Sequence, residues 1–248
     1  MGKSIAVSGK GGVGKSTFAT LLIKALSENS IVLAVDADPN STLNSMLGVD
    51  VTQTIGDLRE KMMKDVDDLP PGMSKQEYVD YQLRLAMVEG DKFDLMTMGR
   101  QEGPGCYCYI NNILRTYLDT LSSNYEYVVI DNEAGMEHLS RRTTRDVDMM
   151  FILSDPTKNG IITAGRIKSL SENLDLKVKD NCLVVNRATD IPEALNPVIE
   201  EQGFDCIEVI PDDQQIMDYS VIGDPLINLP ADSPAYGRAR DILTKLNI

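Results

Sequence analysis

A chain of 248 residues that is 42% hydrophobic can bury a large α/β core, and its net charge of −14 opposes broad contact with polyanionic DNA or RNA. No uncharged apolar stretch approaches membrane-spanning length, and Met1-Gly2-Lys3-Ser4 leads into a strand rather than a secretory segment, so a cytoplasmic protein with no membrane or nucleic-acid partner is expected. Four cysteines in a chain this long do not make a disulfide scaffold, which leaves the question of which of them bind metal in a reducing compartment.

The first predicted strand, Ile5-Ala6-Val7, runs into Gly9-Lys10-Gly11-Gly12-Val13-Gly14-Lys15-Ser16-Thr17, and Phe18–Leu26 follows with helical periodicity. Glycines let backbone N–H groups approach phosphate oxygens without Cβ obstruction, and the helix start favours negative charge. In a loop of this kind, which holds ATP or ADP, Lys15 is expected to contact the β-phosphate and, in ATP, the γ-phosphate, and the Ser16 hydroxyl to ligate Mg²⁺. A second strand, Ile31–Val35, ends in Asp36-Ala37-Asp38-Pro39. Pro39 keeps that turn extended, and two carboxylates there can orient an attacking water and support the water shell of magnesium.

Residues 51–92 interrupt the alternation with charged, Met-rich sequence and are expected to form helical hairpins exposed at the sheet edge. Gly103-Pro104-Gly105-Cys106-Tyr107-Cys108 then makes a turn before a helical pattern containing Ile110, Ile113, Leu114, Tyr117 and Leu118. A helix start eases deprotonation of thiols, although partial burial of both cysteines for packing is the plainer alternative. Two thiolates do not complete a four-coordinate shell, and the sole histidine, His138, is distant in sequence. A two-fold homodimer would supply four sulfurs from two Cys106/Cys108 pairs, enough for Zn²⁺, an iron–sulfur cluster or a square-planar Ni²⁺.

The strand Tyr127–Ile130 closes on Asp131, placed to hold magnesium through water, and Asn132-Glu133-Ala134-Gly135 follows. Further strands at Met149–Leu153, Leu183–Val185 and Ile207–Ile210 end in Ser154-Asp155, Asn186-Arg187 and Pro211-Asp212. The alternation indicates one domain over residues 1–248, a mostly parallel sheet with helices on both faces, whose strand ends converge on one ligand-binding edge. Cys182 and Cys206 are expected to be packing residues. The tail from Ser233 reads as a closing helix with Ala239, Ile242, Leu243 and Leu246 on one face.

Lys10 is additional to the general phosphate-loop motif, and Lys-Gly-Gly-Val-Gly-Lys-Ser resembles the deviant Walker A loop of the ParA, MinD and NifH group of ATPases. The resemblance implies that Lys10 reaches across a dimer to the partner's nucleotide and that Asp38 occupies the switch I position that orients water, with Asp36 nearer the metal. It also makes Ala134-Gly135 a switch II, and Asn186, Arg187, Pro211, Asp212 and Asp213 the edges that meet adenine. Lys10 and Lys15 together with Asp-Ala-Asp-Pro at 36–39, Cys106/Cys108 and Asp-Asn-Glu-Ala-Gly-Met-Glu-His at 131–138 resemble the CooC type of that group over nearly the whole chain. That type assists nickel insertion into carbon monoxide dehydrogenase, with a close acetyl-CoA synthase counterpart. The implied protein is an ATP-dependent dimeric metallochaperone with Ni²⁺ or Zn²⁺ at the cysteine pair and one of those two enzymes as client. An iron–sulfur redox ATPase of the nitrogenase-iron-protein type and a barely catalytic nucleotide-dependent binding module are the rivals. The first is disfavoured because Gly135-Met136-Glu137-His138 lacks a second cluster cysteine.

Overall fold

The computed structural model describes residues 2–64, 72–99, 121–134, 146–173 and 177–248. Its strands are β1 (Lys3–Gly9), β2 (Val32–Asp36), β3 (Val88–Glu89), β4 (Phe93–Thr97), β5 (Tyr127–Asp131), β6 (Asp146–Ser154), β7 (Lys177–Asn186) and β8 (Cys206–Ile210). They form a single sheet in the order β3-β4-β2-β5-β1-β6-β7-β8. Every pairing is parallel except that of the short edge strand β3 with β4. The central strands are continuous apolar runs because both of their faces are covered.

One face packs against α1 (Lys15–Leu26), α2 (Leu43–Leu47) and, toward the end of the chain, the helix Pro234–Lys245. Ile5, Val7, Ala34, Val129 and Phe151 meet Phe18, Leu22, Tyr236 and Ile242 there, with the Phe18 and Phe151 rings edge to face at 5.3 Å. The opposite face has two clusters. Leu33, Val35, Met96 and Ile130 pack with Ile55 and Leu58 of α3 (Ile55–Lys64) and with Val79 and Leu83 of α4 (Lys75–Ala86). Ala6, Met150, Ile152 and Leu183 pack with Ile161, Ala164 and Ile167 of α5 (Lys158–Asn173) and with Ile199 of α6 (Asn196–Gln202). The last two helices are α7 (Gln214–Ile222) and α8 (Pro234–Lys245).

Three expectations need adjustment. The helices within 51–92 are a covering layer and not merely an exposed hairpin: Ile55, Leu58, Val79, Leu83 and Ala86 are buried against the sheet. The sequence pattern also passed over β4, whose Phe93-Asp94-Leu95-Met96-Thr97 pairs with β2 along its whole length. Cys182 and Cys206 face each other across β7 and β8 with Cα atoms 4.6 Å apart, and are joined in a disulfide rather than packed as thiols. The closing helix α8 buries Ala239, Ile242 and Leu243 as the stripe required, while Leu246 lies just beyond its end and packs at the margin. Among the described residues no helix is long and apolar enough to cross a membrane.

Candidate active site

The parallel order brings the carboxyl ends of β2, β5, β1, β6, β7 and β8 to one edge, as the sequence pattern required. The loop after β1 occupies the middle of that edge. Two of its glycines are dictated by space as well as by backbone angle. Gly9 (φ 152°) would place a Cβ 2.6 Å from the Leu153 carbonyl, and Gly14 (φ 92°) would place one 2.5 Å from Asn186 Nδ2. Gly14 also forms the N-cap of α1 and supplies no capping side chain, so the first N–H groups of the helix remain for a ligand. The first turn of α1 carries no acid that would repel phosphate. Lys15 is 8% exposed and turns its Nζ back to within 3.5 Å of the Lys10 carbonyl, while Lys10 itself is exposed. Gly11 lies beside Ala134, bringing the loop against the residues that follow β5.

Asp36 and Asp131 are paired in register across β2 and β5, so both carboxylates emerge on the face that carries α1. Both are fully buried. Asp36 accepts from the backbone N–H groups of Asp38 and Leu43, each at 3.1 Å, and so folds residues 38–43 around itself. Burial is the main reason its pKa rises to about 6; the two backbone donors oppose that rise, and the nearby Asp38 adds to it. Neither Asp131 oxygen has a hydrogen-bond partner within bonding geometry. Its pKa is pushed up to about 7, chiefly by burial, with the Ser16 hydroxyl and Lys15 pulling it down and Asp36 and Asp38 pushing it up. Magnesium fits this donor set. A hard cation that keeps several waters would take one hydroxyl from Ser16, and its hydration shell would supply the donors that the Asp131 oxygens lack. Among the described residues no three His, Cys, Asp or Glu side chains gather as a direct metal cage.

Asp38, expected to orient water, has its Oδ1 engaged by the backbone N–H and the side-chain Nδ2 of Asn40 at 2.8 and 3.0 Å. Three residues beside the carboxylates, of which only Asn132 was named in the sequence motifs, were given no role from sequence. Thr42 donates its hydroxyl to Ser16 Oγ at 3.2 Å. Asn132 donates Nδ2 to the Val7 carbonyl and to Ser8 Oγ, binding the exit of β5 to the exit of β1. Thr97 ends β4 in register with Asp36, its buried hydroxyl unpartnered. A Ser-Thr pair before a short helix reads as an ordinary cap in sequence, and β4 itself was not anticipated.

A cavity of about 230 Å³ opens between Gly14, Thr17 and Phe18 on one side and Asn186, Arg187 and Ile210–Asp213 on the other. These residues include all those expected at the adenine edge, but they divide the work. Asn186 donates Nδ2 to the Val13 carbonyl at 2.7 Å. Asp213 is buried with both oxygens occupied: Oδ1 caps α7 at the Gln215 N–H, and Oδ2 accepts from the Ser233 hydroxyl and the Ala235 N–H. Asp213 therefore shapes the wall and has little capacity left for a base. The backbone of Pro211-Asp212 and the Arg187 side chain remain free to meet one. Cys106, Cys108, Gly135 and His138 lie outside the described residues.

Residues 4–226 match the family described as the CobQ/CobB/MinD/ParA nucleotide binding domain. The chain is 47% identical to an uncharacterised ATP-binding protein of Methanocaldococcus jannaschii, over 98% of this chain and 97% of the relative. It is 33% identical to the carbon monoxide dehydrogenase accessory protein CooC of Rhodospirillum rubrum, over 86% of this chain and 84% of that protein. Its fold is similar to that of a ParA family ATPase from Chlorobium tepidum, with a TM-score of 0.74 at 21% identity over 98% and 99% of the two chains.

Proposed function

Because the chain belongs to the CobQ/CobB/MinD/ParA nucleotide-binding family of ATPases, we propose that it is a maturation ATPase that closes into a homodimer on MgATP and assists nickel insertion into carbon monoxide dehydrogenase or a related acetyl-CoA synthase. The observation that carries this reading is the 33% identity to CooC across most of both chains, together with Cys106/Cys108 and the exposed second lysine, Lys10, in the phosphate loop.

The phosphates of ATP lie along the Gly9–Thr17 loop, taking backbone N–H groups and the start of α1. Lys15, now folded on the Lys10 carbonyl, swings to the β- and γ-phosphates, because a phosphate oxygen is a stronger acceptor for an ammonium than a peptide carbonyl. Magnesium, when bound by Ser16 and through water by Asp131, with Asp36 nearby, neutralises charge on the phosphates. Asp38 leaves Asn40 and takes a hydrogen bond from the attacking water, whose oxygen bonds to the γ-phosphorus as the bond to the β–γ bridging oxygen breaks. Lys10 reaches the nucleotide of the partner subunit, so that dimerisation and nucleotide occupancy depend on one another. Closure brings two Cys106/Cys108 pairs together as a four-sulfur site for Ni²⁺ or Zn²⁺, and hydrolysis reopens it.

The test is activation of nickel-free client by this protein with Ni²⁺ and ATP, alongside metal stoichiometry of the wild type and of the double variant Cys106→Ser/Cys108→Ser. One Ni²⁺ or Zn²⁺ per dimer, lost in the double variant, is expected. Unchanged binding in the variant would remove the cysteine pair from the reading, and ATP-dependent dimerisation that survives Lys10→Ala would remove that lysine.

A further inference from the structure

Thr42 stands where a helix N-cap belongs, immediately before α2, yet its side chain makes no capping bond to that helix. Threonine at such a position ordinarily spends its hydroxyl on a backbone N–H one turn ahead. Here the first N–H of α2, that of Leu43, goes to Asp36 Oδ2 instead, and the Thr42 hydroxyl crosses to Ser16 Oγ at 3.2 Å. The contact joins residues 26 positions apart, one on the phosphate-loop helix and the other on the segment that Asp36 folds around itself.

We propose that Thr42 is a positioning residue of the magnesium site, orienting the Ser16 hydroxyl for the cation and tying the 38–43 segment to it. This inference rests on the reading of Ser16 as a magnesium ligand. A serine hydroxyl offers one proton and two lone pairs. The Thr42 proton takes one lone pair, and the Ser16 proton is left to turn toward nearby Asp131, whose two buried oxygens have no hydrogen-bond partner. One lone pair is left for the cation, and the Thr42 bond restricts its direction, as outer partners fix the orientation of metal ligands generally. Ser45 donates its hydroxyl to the Thr42 carbonyl at 2.8 Å, which holds the backbone of Thr42 while its side chain faces Ser16. A cation drawn to Ser16 therefore acts on the 38–43 segment directly, through a side chain already in contact.

The experiment is ADP binding by calorimetry over a series of Mg²⁺ concentrations, for wild type, Thr42→Val, Thr42→Ser and Thr42→Asn. Thr42→Val is expected to raise the Mg²⁺ concentration needed for half of the full tightening by about tenfold or more, the scale of lost outer-shell partners, with metal-free ADP affinity unchanged. Thr42→Ser restores the hydroxyl and should lie within about twofold of wild type, whereas Thr42→Asn, a better helix cap, should not. Wild-type behaviour of Thr42→Val, or rescue by asparagine as complete as by serine, overturns the inference, the latter by assigning Thr42 to the helix. Ser16→Ala must abolish the Mg²⁺ dependence. If it does not, the metal assignment of Ser16 fails, and the inference with it.

Discussion

Asn186 at the end of β7 donates its Nδ2 to the Val13 carbonyl at 2.7 Å, and so fastens the wall of the base cavity to the loop that carries the phosphates. The same nitrogen is what a methyl group on Gly14 would strike, at 2.5 Å. Asn186→Ala should weaken ATP and ADP about equally, by about 1 kcal/mol each, because a bond that positions the loop is used in both states. Gly14→Ala adds strain at φ 92° to the clash and should abolish measurable nucleotide binding while leaving the far-ultraviolet circular dichroism unchanged. Calorimetric titration of the two variants checks both outcomes.

Asp36 and Asp131 carry pKa values of about 6 and about 7 in the folded protein, above the ordinary carboxylate value. The folded state then binds more protons than the unfolded state between about pH 4 and 7, so these two groups make the metal-free protein lose stability as the pH rises through that window and level off above it. Asp131→Asn should flatten that slope and raise the metal-free Tm at pH 8, by on the order of 2 kcal/mol in stability. The same variant should lose most of the Tm increase that wild type gains from Mg²⁺ with ADP. Thermal unfolding from pH 4.5 to 8.5, with EDTA or with Mg²⁺ and ADP, separates the two effects.

The Cys182–Cys206 bond closes a loop 24 residues long between β7 and β8. The loop-closure entropy removed from the unfolded chain is worth about 3.5 kcal/mol, so Cys206→Ser should lower stability by about 2–4 kcal/mol under non-reducing conditions. Dithiothreitol should remove most of the difference between wild type and variant. Peptide mapping without reduction should recover the two cysteines in one cross-linked fragment.

Glu208 of β8 is 2% exposed and is paired with Arg238 at 2.6 Å and with Lys245, both on α8. Removing Arg238 leaves a buried carboxylate with one mostly exposed partner, so Arg238→Met should cost about 2–3 kcal/mol. Lys245→Met should cost under about 1 kcal/mol, as for other exposed charges. Denaturant unfolding of the two variants tests the order.

Much of this architecture is legible without coordinates. Apolar strands that end in Ser8-Gly9, Asp36, Asp131 and Asn186 leave little choice but a parallel sheet with its polar ends together, and the loop Gly9–Thr17 is specific enough in its strand-to-helix setting to mark the phosphate site. What escapes the sequence is set by distance along the chain. Thr42 meets Ser16 only because Asp36 curls the intervening backbone, and Asp213 turns from the base cavity because Ser233 and Ala235, twenty and more residues later, claim its oxygens. The disulfide escaped for the same reason, since the partnership of Cys182 and Cys206 depends on the register of two strands and not on any local spacing.

Thr97, Asp36 and Asp131 stand side by side on one rung of the sheet, and the backbone pairing runs past the strand ends: Met98 N–H donates to the Asp36 carbonyl and Ala37 N–H to that of Asp131, at 2.8 and 2.9 Å. The three chain exits beyond that rung lead to the stretch containing the cysteine pair, to Asp38 and Thr42, and to Ala134. They share one sill. A displacement of the turn that Asp36 holds would therefore be felt one interstrand spacing away, about 4.8 Å, at the exits of β4 and β5.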